Sequence, residues 1–328
     1  MMSENALRDL NKLPRPEMKS ESSTKMNFAK SYSESADENV EKWPMKTSAS
    51  LVSTTSNGGE TVNPVTEVVN VEVEYTESEN LSDVADVDAS LKALLAGLDS
   101  KDWVMVCESL NDMRRLSIFH KEELLDMLGD SIPLIVKSLK NPRSAVCKTA
   151  IMTAADIFNA YHDHIIDLLD PLLVQLLLKS SQDKKFVCEA AERALVAMTT
   201  WVSPALLLPK LQPHLKNRNP RVRAKASMCF SRSVPRLGIE GIKSYGIDKL
   251  IQVAASQLSD QLPASRDAAR TLLLELQTVY EKSHELTPAV SEHSELNSWE
   301  QFCQSKLSPL SAQAVLRVTN REGLVLGS

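Results

Sequence analysis

The chain has 328 residues, 24% of them charged, with a formal net charge of −6. Its nine glycines form neither a GxGxxG nor a GxxxxGK[ST] pattern, so no phosphate-binding loop is predicted. The five cysteines have no CxxC spacing, and no run reaches the ~18 consecutive apolar residues of a membrane span. These features exclude the common nucleotide-binding, zinc-binding, disulfide-rich and transmembrane classes and favour a protein of a reducing compartment.

Residues 1–85 are rich in Ser, Thr, Glu, Lys and Asn and hold eight basic and fifteen acidic residues, a net charge of −7. Such a composition cannot bury enough apolar surface to fold, so we predict a disordered acidic tail. The stretch TVNPVTEVVNVEVEYTE alternates like a strand. It has no partner strand nearby, and we therefore do not predict a sheet there.

A pattern of about 40 residues recurs between residues 86 and 281. In each copy a polar loop precedes a helix rich in Ala, Cys and Ser. The equivalent positions are separated by 40, 41, 35 and 43 residues and are Val106, Val146, Val187, Val222 and Ser265. This period is typical of a helical-pair solenoid, in which each hairpin buries its apolar face against its neighbours.

Signals for helix starts support the same repeat. Asn141-Pro142 and Asn219-Pro220 each offer an Asn N-cap followed by a proline at the first helical position. A Leu-rich segment such as DPLLVQLLLKS precedes each loop and supplies the first helix of the pair. We predict an all-α fold, an α-solenoid of about five HEAT-like helix pairs.

Residues 282–328 are predicted to be mostly disordered because they are rich in Ser and Glu. One short helix is predicted at SPLSAQAVLR. Whether this helix caps the last repeat is left open by the sequence.

Basic residues concentrate at the repeat loops. Residues 86–281 hold 25 basic and 23 acidic residues, and nine basic residues with no acidic one lie between Arg193 and Arg236. Equivalent loops of a solenoid line up along one edge, so we expect a basic stripe that binds an acidic partner. For any single cation, ordinary solvation of a helix start is the alternative. The stripe residues are Lys140, Arg143, Lys184, Lys185, Arg218, Arg221, Arg223 and Arg266.

Trp103 stands in the first repeat loop, in the sequence SKDWVMV. One interpretation is a core anchor that reaches back to the preceding helix. The other is an apolar contact for the partner at one end of the basic stripe.

Candidate catalytic groups are sparse. His162 and His164 are two residues apart, and side chains at that spacing on a helix point to different sides. No Ser/His/Asp set can be singled out, so we predict no enzyme activity, no catalytic residue, no cofactor and no metal site. The N-terminus has no apolar signal segment, which favours a cytoplasmic protein.

The sequence DWVMVCESLNDMRRL, followed by the loops NPRSAV, DKKFV, NPRVRAKA and PASRDAAR, resembles a TOG domain of the CLASP N-terminal type. The resemblance implies an arc of HEAT repeats that binds αβ-tubulin or microtubules, and hence a cytoskeletal location. It implies that Trp103 contacts β-tubulin and that the basic residues of the later loops contact tubulin's acidic surface. This chain departs from the family in having Val104, Met105 and Val106 after the tryptophan, and in showing five helix pairs where a full TOG domain has six.

Two alternatives to tubulin binding remain from the sequence. The chain is either a HEAT adaptor for another acidic partner or a scaffold that binds through its helix faces. Nucleic acid is the weaker alternative, because no aromatic residues are interleaved with the cations. The tails offer sites for dimerisation or for an adaptor partner. The N-terminal tail, with its net charge of −7, could also fold back on the basic stripe and compete with the partner.

Overall fold

The computed structural model describes residues 75–285 and 298–322, and the regular elements in these ranges are all helical. Of the tail predicted for residues 1–85, residues 1–74 therefore lie outside the described residues, as do residues 286–297 and 323–328. Within the described ranges the α-helices are α1 (Val87–Leu98), α2 (Trp103–Phe119), α3 (Lys121–Leu125), α4 (Leu128–Leu139), α5 (Ser144–Tyr161), α6 (Leu169–Lys179), α7 (Lys185–Trp201), α8 (Pro204–Leu211), α9 (Pro220–Ser233), α10 (Gly238–Tyr245), α11 (Ile247–Gln257), α12 (Pro263–Glu285), α13 (Trp299–Lys306) and α14 (Pro309–Glu322).

The repeat predicted from the sequence corresponds to five antiparallel pairs: α1 with α2, α4 with α5, α6 with α7, α8 with α9, and α11 with α12. The predicted all-α solenoid of HEAT-like pairs is confirmed. The four anchor valines and Ser265 are all buried on the second helix of their pair. The short helices α3 and α10 lie in connections between pairs.

The second helices stack side by side and form the continuous core, with α5 packed between α2 and α7. Ala150 and Ala154 of α5 are fully buried, and so are Ala191 and Ala194 of α7. Small side chains at these positions let the helix axes approach closely, while leucines from the first helices fill the layer beside them.

The two Asn-Pro loops begin their helices differently. Asn219 caps α9 and accepts a hydrogen bond from the backbone N–H of Arg221, as predicted, at 2.9 Å. Asn141 makes the same turn and accepts from the N–H of Arg143 at 2.9 Å. However, α5 begins only at Ser144, since its first backbone bond runs from Cys147 N to Arg143 O.

Helices α13 and α14 form a further antiparallel pair that packs on α11 and α12. Its inner face is aromatic. The ring of Tyr280 on α12 stands 5.5 Å from Trp299 and 4.7 Å from Phe302 between ring centroids. Where the sequence indicated a mostly disordered tail with one short helix, the described residues contain a sixth pair. The helix expected at SPLSAQAVLR is α14, and the pair covers the end of the solenoid.

Residues 75–81 pack across α2 and α5, although the sequence analysis assigned them to the tail. They meet a buried ion pair, in which Arg114 Nε donates to Asp156 Oδ2 at 2.6 Å. Ser78 donates its hydroxyl proton to the other carboxylate oxygen at 2.6 Å, and Arg114 also donates to Thr76 O at 2.9 Å. Both side chains of this buried pair thus gain hydrogen bonds from the N-terminal segment, and Leu81 is itself buried.

The cysteines pack as small apolar side chains. Burial raises the pKa of the Cys107 thiol to about 11 and that of Cys229 to about 12, which keeps both protonated at neutral pH. Cys147 donates to Leu139 O at 3.3 Å, and Cys188, which is only half-buried, donates to Ser180 O at 3.0 Å. In the described part of the chain, no helix combines the length and apolar character needed to cross a membrane.

Candidate partner-binding edge

The loops that join the two helices of each pair lie along one edge of the solenoid. Direct contacts between consecutive loops, or between a loop and the helix end beside the next loop, show this. Lys137 Nζ reaches Asp99 Oδ1 at 2.6 Å, and Lys184 Nζ reaches Ser144 Oγ at 3.1 Å. Arg221 pairs with Asp183, and Arg223 Nε pairs with Asp260 Oδ2 at 2.6 Å. We define the loop edge as residues 99–103, 140–144, 180–186, 217–223 and 258–266.

Trp103 is the first residue of α2, whose N-cap is Asp102. Its indole is half-buried against the core, and the guanidinium carbon of Arg143 stands 5.2 Å from its ring centroid. The side chain therefore packs inward and also joins the surface of the loop edge, where it forms a cation–π contact with the next loop.

The three residues after Trp103 face different surroundings. Val106 is buried in the core and Val104 is half-buried, whereas the side chain of Met105 is 47% exposed. Val106 is therefore committed to the fold, and Met105 exposes apolar surface in the first turn of α2. The positions after Trp103 therefore carry apolar side chains, whereas the family resemblance would place charged residues there.

The side chains of Lys140, Arg143, Lys184, Lys185 and Arg218 are exposed on the loop edge. Lys185 has one loose partner, Glu189, at 3.8 Å. Within the described residues, Lys140, Arg143 and Arg218 form no salt bridge with a carboxylate. Because solvated cations at helix starts oppose the helix dipole, these charges do not serve the stability of their helices.

Arg223 and Arg266 are engaged within the fold. Both converge on the loop between α11 and α12. Arg223 binds the buried Asp260 carboxylate and donates to Asn217 O at 2.8 Å, and Arg266 donates to Asp260 O at 2.7 Å. Burial raises the pKa of Asp260, but hydrogen bonds from Arg223 and from the Leu262 N–H lower it further, so the net shift is downward. Arg223 thus joins two neighbouring loops, and Arg266 fixes the backbone of its own loop.

Arg221 is exposed like the first group of cations but paired with a carboxylate like Arg223. It is exposed and pairs with Asp183, whose side chain is 89% exposed. A pair in solvent contributes little to stability, so Arg221 can exchange this partner for another carboxylate. The structure brings all nine residues selected from the sequence to one edge. Six of them have exposed side chains and Trp103 is half-buried, so these seven are accessible to an incoming partner.

Phe186 belongs to the loop edge and Lys148 lies beside it on α5, and both were missed in the sequence analysis. The ammonium groups of Lys184 and Lys148 stand 5.5 and 5.8 Å from the Phe186 ring centroid. Phe186 is 36% exposed. Its position next to Lys184 and Lys185 was a usable signal, because an aromatic residue in the first turn after a basic loop lies at the surface of that loop.

The basic run from Arg193 to Arg236 is divided between the two edges of the solenoid. Arg236 lies at the opposite edge, where it donates to the carbonyl of Val202 at 2.9 Å. Lys210 pairs with Asp170 at 2.7 Å. The charge density of the run in the sequence therefore overstates the charge of the loop edge, to which Arg218, Arg221 and Arg223 contribute.

His162, which the sequence analysis considered as a candidate metal ligand, also lies at the opposite edge. His162 has a positive φ of 47°, and its ring makes an edge contact with Trp201 at 5.3 Å between centroids. Within the residues that the structure describes, no group of three or more His, Cys, Asp or Glu side chains could hold a metal ion.

The fold is that of a TOG domain, the class of helical solenoid that solved structures of this shape define. The chain matches the TOG domain of C. elegans Zyg9 with a TM-score of 0.51 and 16% identity, over 76% of this chain and 91% of that one. It matches a Crescerin TOG domain structure, described as part of an array that regulates microtubules in the primary cilium, with a TM-score of 0.50 and 15% identity, over 75% of this chain and 92% of that one.

Residues 117–295 match the family model for the CLASP N-terminal domain, and the chain belongs to that family. It is 29% identical over 206 residues to the mouse TOG array regulator of axonemal microtubules protein 1, which covers 61% of this chain. The human protein of the same name is 32% identical over 118 residues, or 36% of this chain. The chain spans only 12% and 7% of the length of these two relatives.

Proposed function

We propose that the chain is a non-catalytic tubulin-binding or microtubule-binding protein of the cytoskeleton that binds through its loop edge. The observation that carries this proposal is the alignment of the half-buried Trp103 with exposed cations of the next three loops. An apolar anchor beside dispersed positive charge suits a partner whose surface is acidic. The names of the relatives, which regulate axonemal or ciliary microtubules, support tubulin as that partner.

Electrostatics and anchoring have separate roles in this proposal. The exposed cations at Lys140, Arg143, Lys184, Lys185 and Arg218 attract and orient the acidic partner, which mainly raises the association rate. Trp103 and Met105 supply apolar contact area, which mainly slows dissociation. Arg221 joins the cations by exchanging Asp183 for a partner carboxylate. Arg223 and Arg266, which the sequence analysis included among the contacts, keep the loops in position.

Charge reversal at Lys184 and Lys185 tests the cationic part of the edge. In the full chain, the double variant Lys184→Glu/Lys185→Glu is expected to weaken microtubule co-sedimentation and binding to unpolymerised αβ-tubulin by roughly tenfold or more. The two residues are the N-cap and first residue of α7. Since acidic side chains are favourable at a helix N-terminus, the fold and its thermal midpoint are expected to be kept.

The matched control is Lys92→Glu/Lys249→Glu, which changes the net charge equally at two exposed lysines outside the loop edge. It is expected to bind like the unmodified chain. Equal loss in both double variants would show that only net charge matters, and unchanged binding in the Lys184→Glu/Lys185→Glu variant would refute the proposal for these loops.

A second candidate function is a scaffold that binds a protein through its first helices. Val174 and Leu178 on α6 are 38% and 42% exposed, and Leu206 on α8 is 43% exposed. These apolar side chains belong to the first helices of their pairs and not to the loops. If Val174→Ser/Leu178→Ser removes partners that the Lys184→Glu/Lys185→Glu variant retains, the scaffold function is favoured over tubulin binding.

A further inference from the structure

Residues 75–81 form a short strap that lies along α5, and the first residue of the strap reaches the loop edge. Ser78 donates its hydroxyl proton to Asp156 in the middle of α5. The ring centroid of Tyr75 stands 3.6 Å from the ammonium group of Lys148, near the start of the same helix. Asp156 and Lys148 are eight residues apart, about 12 Å along the helix axis, and three extended residues of the strap cover a similar distance. The strap therefore places Tyr75 beside the loop edge.

The strap is anchored by the buried Arg114–Asp156 pair. The Arg114 side chain is 1% exposed, and it donates to Thr76 O at 2.9 Å and to Ser78 Oγ at 3.3 Å. Both of these anchoring residues follow Tyr75 in the chain. The attachment of the strap therefore does not depend on the Tyr75 ring, and the position of this ring needs a different explanation.

Tyr75 forms a cluster with Phe186 and two lysines. The ammonium group of Lys148 stands 3.6 Å from the Tyr75 ring centroid and 5.8 Å from the Phe186 ring centroid. The ammonium group of Lys184 stands 5.5 Å from the Phe186 ring centroid. Tyr75 is half-buried and Phe186 is 36% exposed. We call these four residues the Tyr75 cluster. Because cation–π attraction holds both rings on one ammonium group, the cluster presents fixed aromatic surface among the cations of the third loop.

The Tyr75 cluster repeats the chemistry of the contact between Trp103 and Arg143. In each, a ring at the start of a second helix meets a cation from the neighbouring repeat. Trp103 opens α2, Phe186 lies in the first turn of α7, and α5 packs between these two helices. Since packed helices are 8–10 Å apart, the two aromatic sites are separated by about 20 Å along the loop edge.

We propose that the Tyr75 cluster is a second contact site of the loop edge, and that the edge fits a folded acidic protein surface with two apolar contacts about 20 Å apart. The proposal rests on the proposed function and extends it. Rigid aromatic side chains supply contact area at a small cost in conformational entropy, and such residues carry much of the binding energy at interfaces. A flexible acidic peptide satisfies the cations but loses entropy when it is ordered between two fixed rings. The edge therefore favours a folded partner over an unstructured one.

Tyr75→Ala in the full chain tests the contact. This variant is expected to bind unpolymerised αβ-tubulin about fivefold or more weakly, because the ring no longer contacts the partner. Tyr75→Phe keeps the ring and is expected to bind like the unmodified chain. Poly-L-glutamate serves as the unstructured acidic probe. Tyr75→Ala changes no charge and is expected to bind this probe within about twofold of the unmodified chain. The thermal midpoint is expected to be kept, since the anchors at Thr76 and Ser78 remain.

Acetylation of Lys148 tests the geometry of the cluster without any partner. The reagent is N-hydroxysuccinimidyl acetate, and acetylation is measured at each lysine by mass spectrometry. Tyr75→Ala is expected to raise the reactivity of Lys148 about twofold or more relative to Lys92 and Lys249, because the ring no longer covers the ammonium group. Tyr75→Phe is expected to leave it unchanged. Equal reactivity of Lys148 in Tyr75→Ala and the unmodified chain would overturn the proposal.

The binding results separate this proposal from the proposed function. If the unmodified chain does not bind tubulin, the proposed function fails and the second contact site fails with it. If the unmodified chain binds tubulin and Tyr75→Ala binds equally well, only the second contact site is overturned. Equal weakening of Tyr75→Ala toward tubulin and poly-L-glutamate would also overturn it, since the ring would then act only by placing the charge of Lys148.

Discussion

Arg221 and Arg223 of α9 are two residues apart, yet they have different roles. Arg221 pairs in solvent with the exposed Asp183 of the preceding loop, whereas Arg223 is 17% exposed and binds the buried Asp260 of the following loop. A helical spacing of two residues directs the side chains to different sides, so one meets each neighbouring repeat. Only the exposed arginine remains available to a partner.

We predict that Asp260→Asn destabilises the fold more than Asp183→Asn. The first substitution leaves the half-buried Arg223 without its carboxylate and is expected to lower the free energy of unfolding by roughly 1–3 kcal/mol. The second removes an exposed pair and is expected to change it by about 0.5 kcal/mol or less. Thermal denaturation monitored by circular dichroism measures both. Equal midpoints for the two variants would contradict the structural role of Arg223.

The same pair predicts an acid dependence of stability. The folded-state pKa of Asp260 lies below its ordinary value of 3.8. A carboxylate with a depressed pKa contributes stability above its unfolded pKa, and that contribution is lost as the pH falls through the folded pKa. Below about pH 4 the unmodified chain is therefore expected to lose stability more steeply than Asp260→Asn, in denaturant titrations at a series of pH values. Parallel curves would contradict this assignment.

At the scale of helices, the sixth pair is the element that the sequence concealed. The five repeats show a regular period because each has a long second helix with small residues at the same positions. In contrast, α13 has only eight residues and follows a Ser/Glu-rich stretch after α12. Its contact with the solenoid depends on Trp299 and Phe302 of α13 meeting Tyr280 of α12 across the Ser/Glu-rich stretch. Neither feature has a period that a sequence pattern reveals.

We predict that Trp299→Ala destabilises the whole solenoid, because the indole is buried on Tyr280 and Phe302 and donates to Thr319 Oγ1 at 3.2 Å. Loss of a buried tryptophan is expected to cost about 3–5 kcal/mol. The readout is the thermal midpoint of the far-ultraviolet signal. The exposed Leu310 of α14 offers a control, since Leu310→Ala removes no buried contact. A midpoint unchanged by Trp299→Ala would mean that α13 and α14 do not belong to the cooperative unit.

The sequence predicted the fold class and the edge on which the candidate site lies, but not how the charges on it are used. The period places Val106 and its equivalents in the core, and the loops must then align. Whether a loop arginine is free depends on which acidic residue the next repeat offers, as Asp260 shows for Arg223. The Arg114–Asp156 pair joins residues 42 positions apart and includes an N-terminal segment that composition alone assigns to the tail.

In the whole molecule, the stacked helices supply the stability, and we propose that the loop edge binds the partner. Ion pairs between consecutive loops fix their spacing, and this spacing presents Trp103 and the exposed cations as one surface. A single rigid edge of this kind fits an extended acidic partner better than a small ligand. Binding is therefore expected to weaken as salt rises, since the exposed charges are screened.

The most direct test of the loop edge as the tubulin-binding surface is carbodiimide cross-linking of the full chain to αβ-tubulin, with linked peptides identified by mass spectrometry. The reagent joins lysines to carboxylates that are already in contact. The account predicts links from Lys140, Lys184 and Lys185 to acidic residues of tubulin, and none from Lys92 or Lys249. Links that come mainly from Lys92 and Lys249 would contradict it.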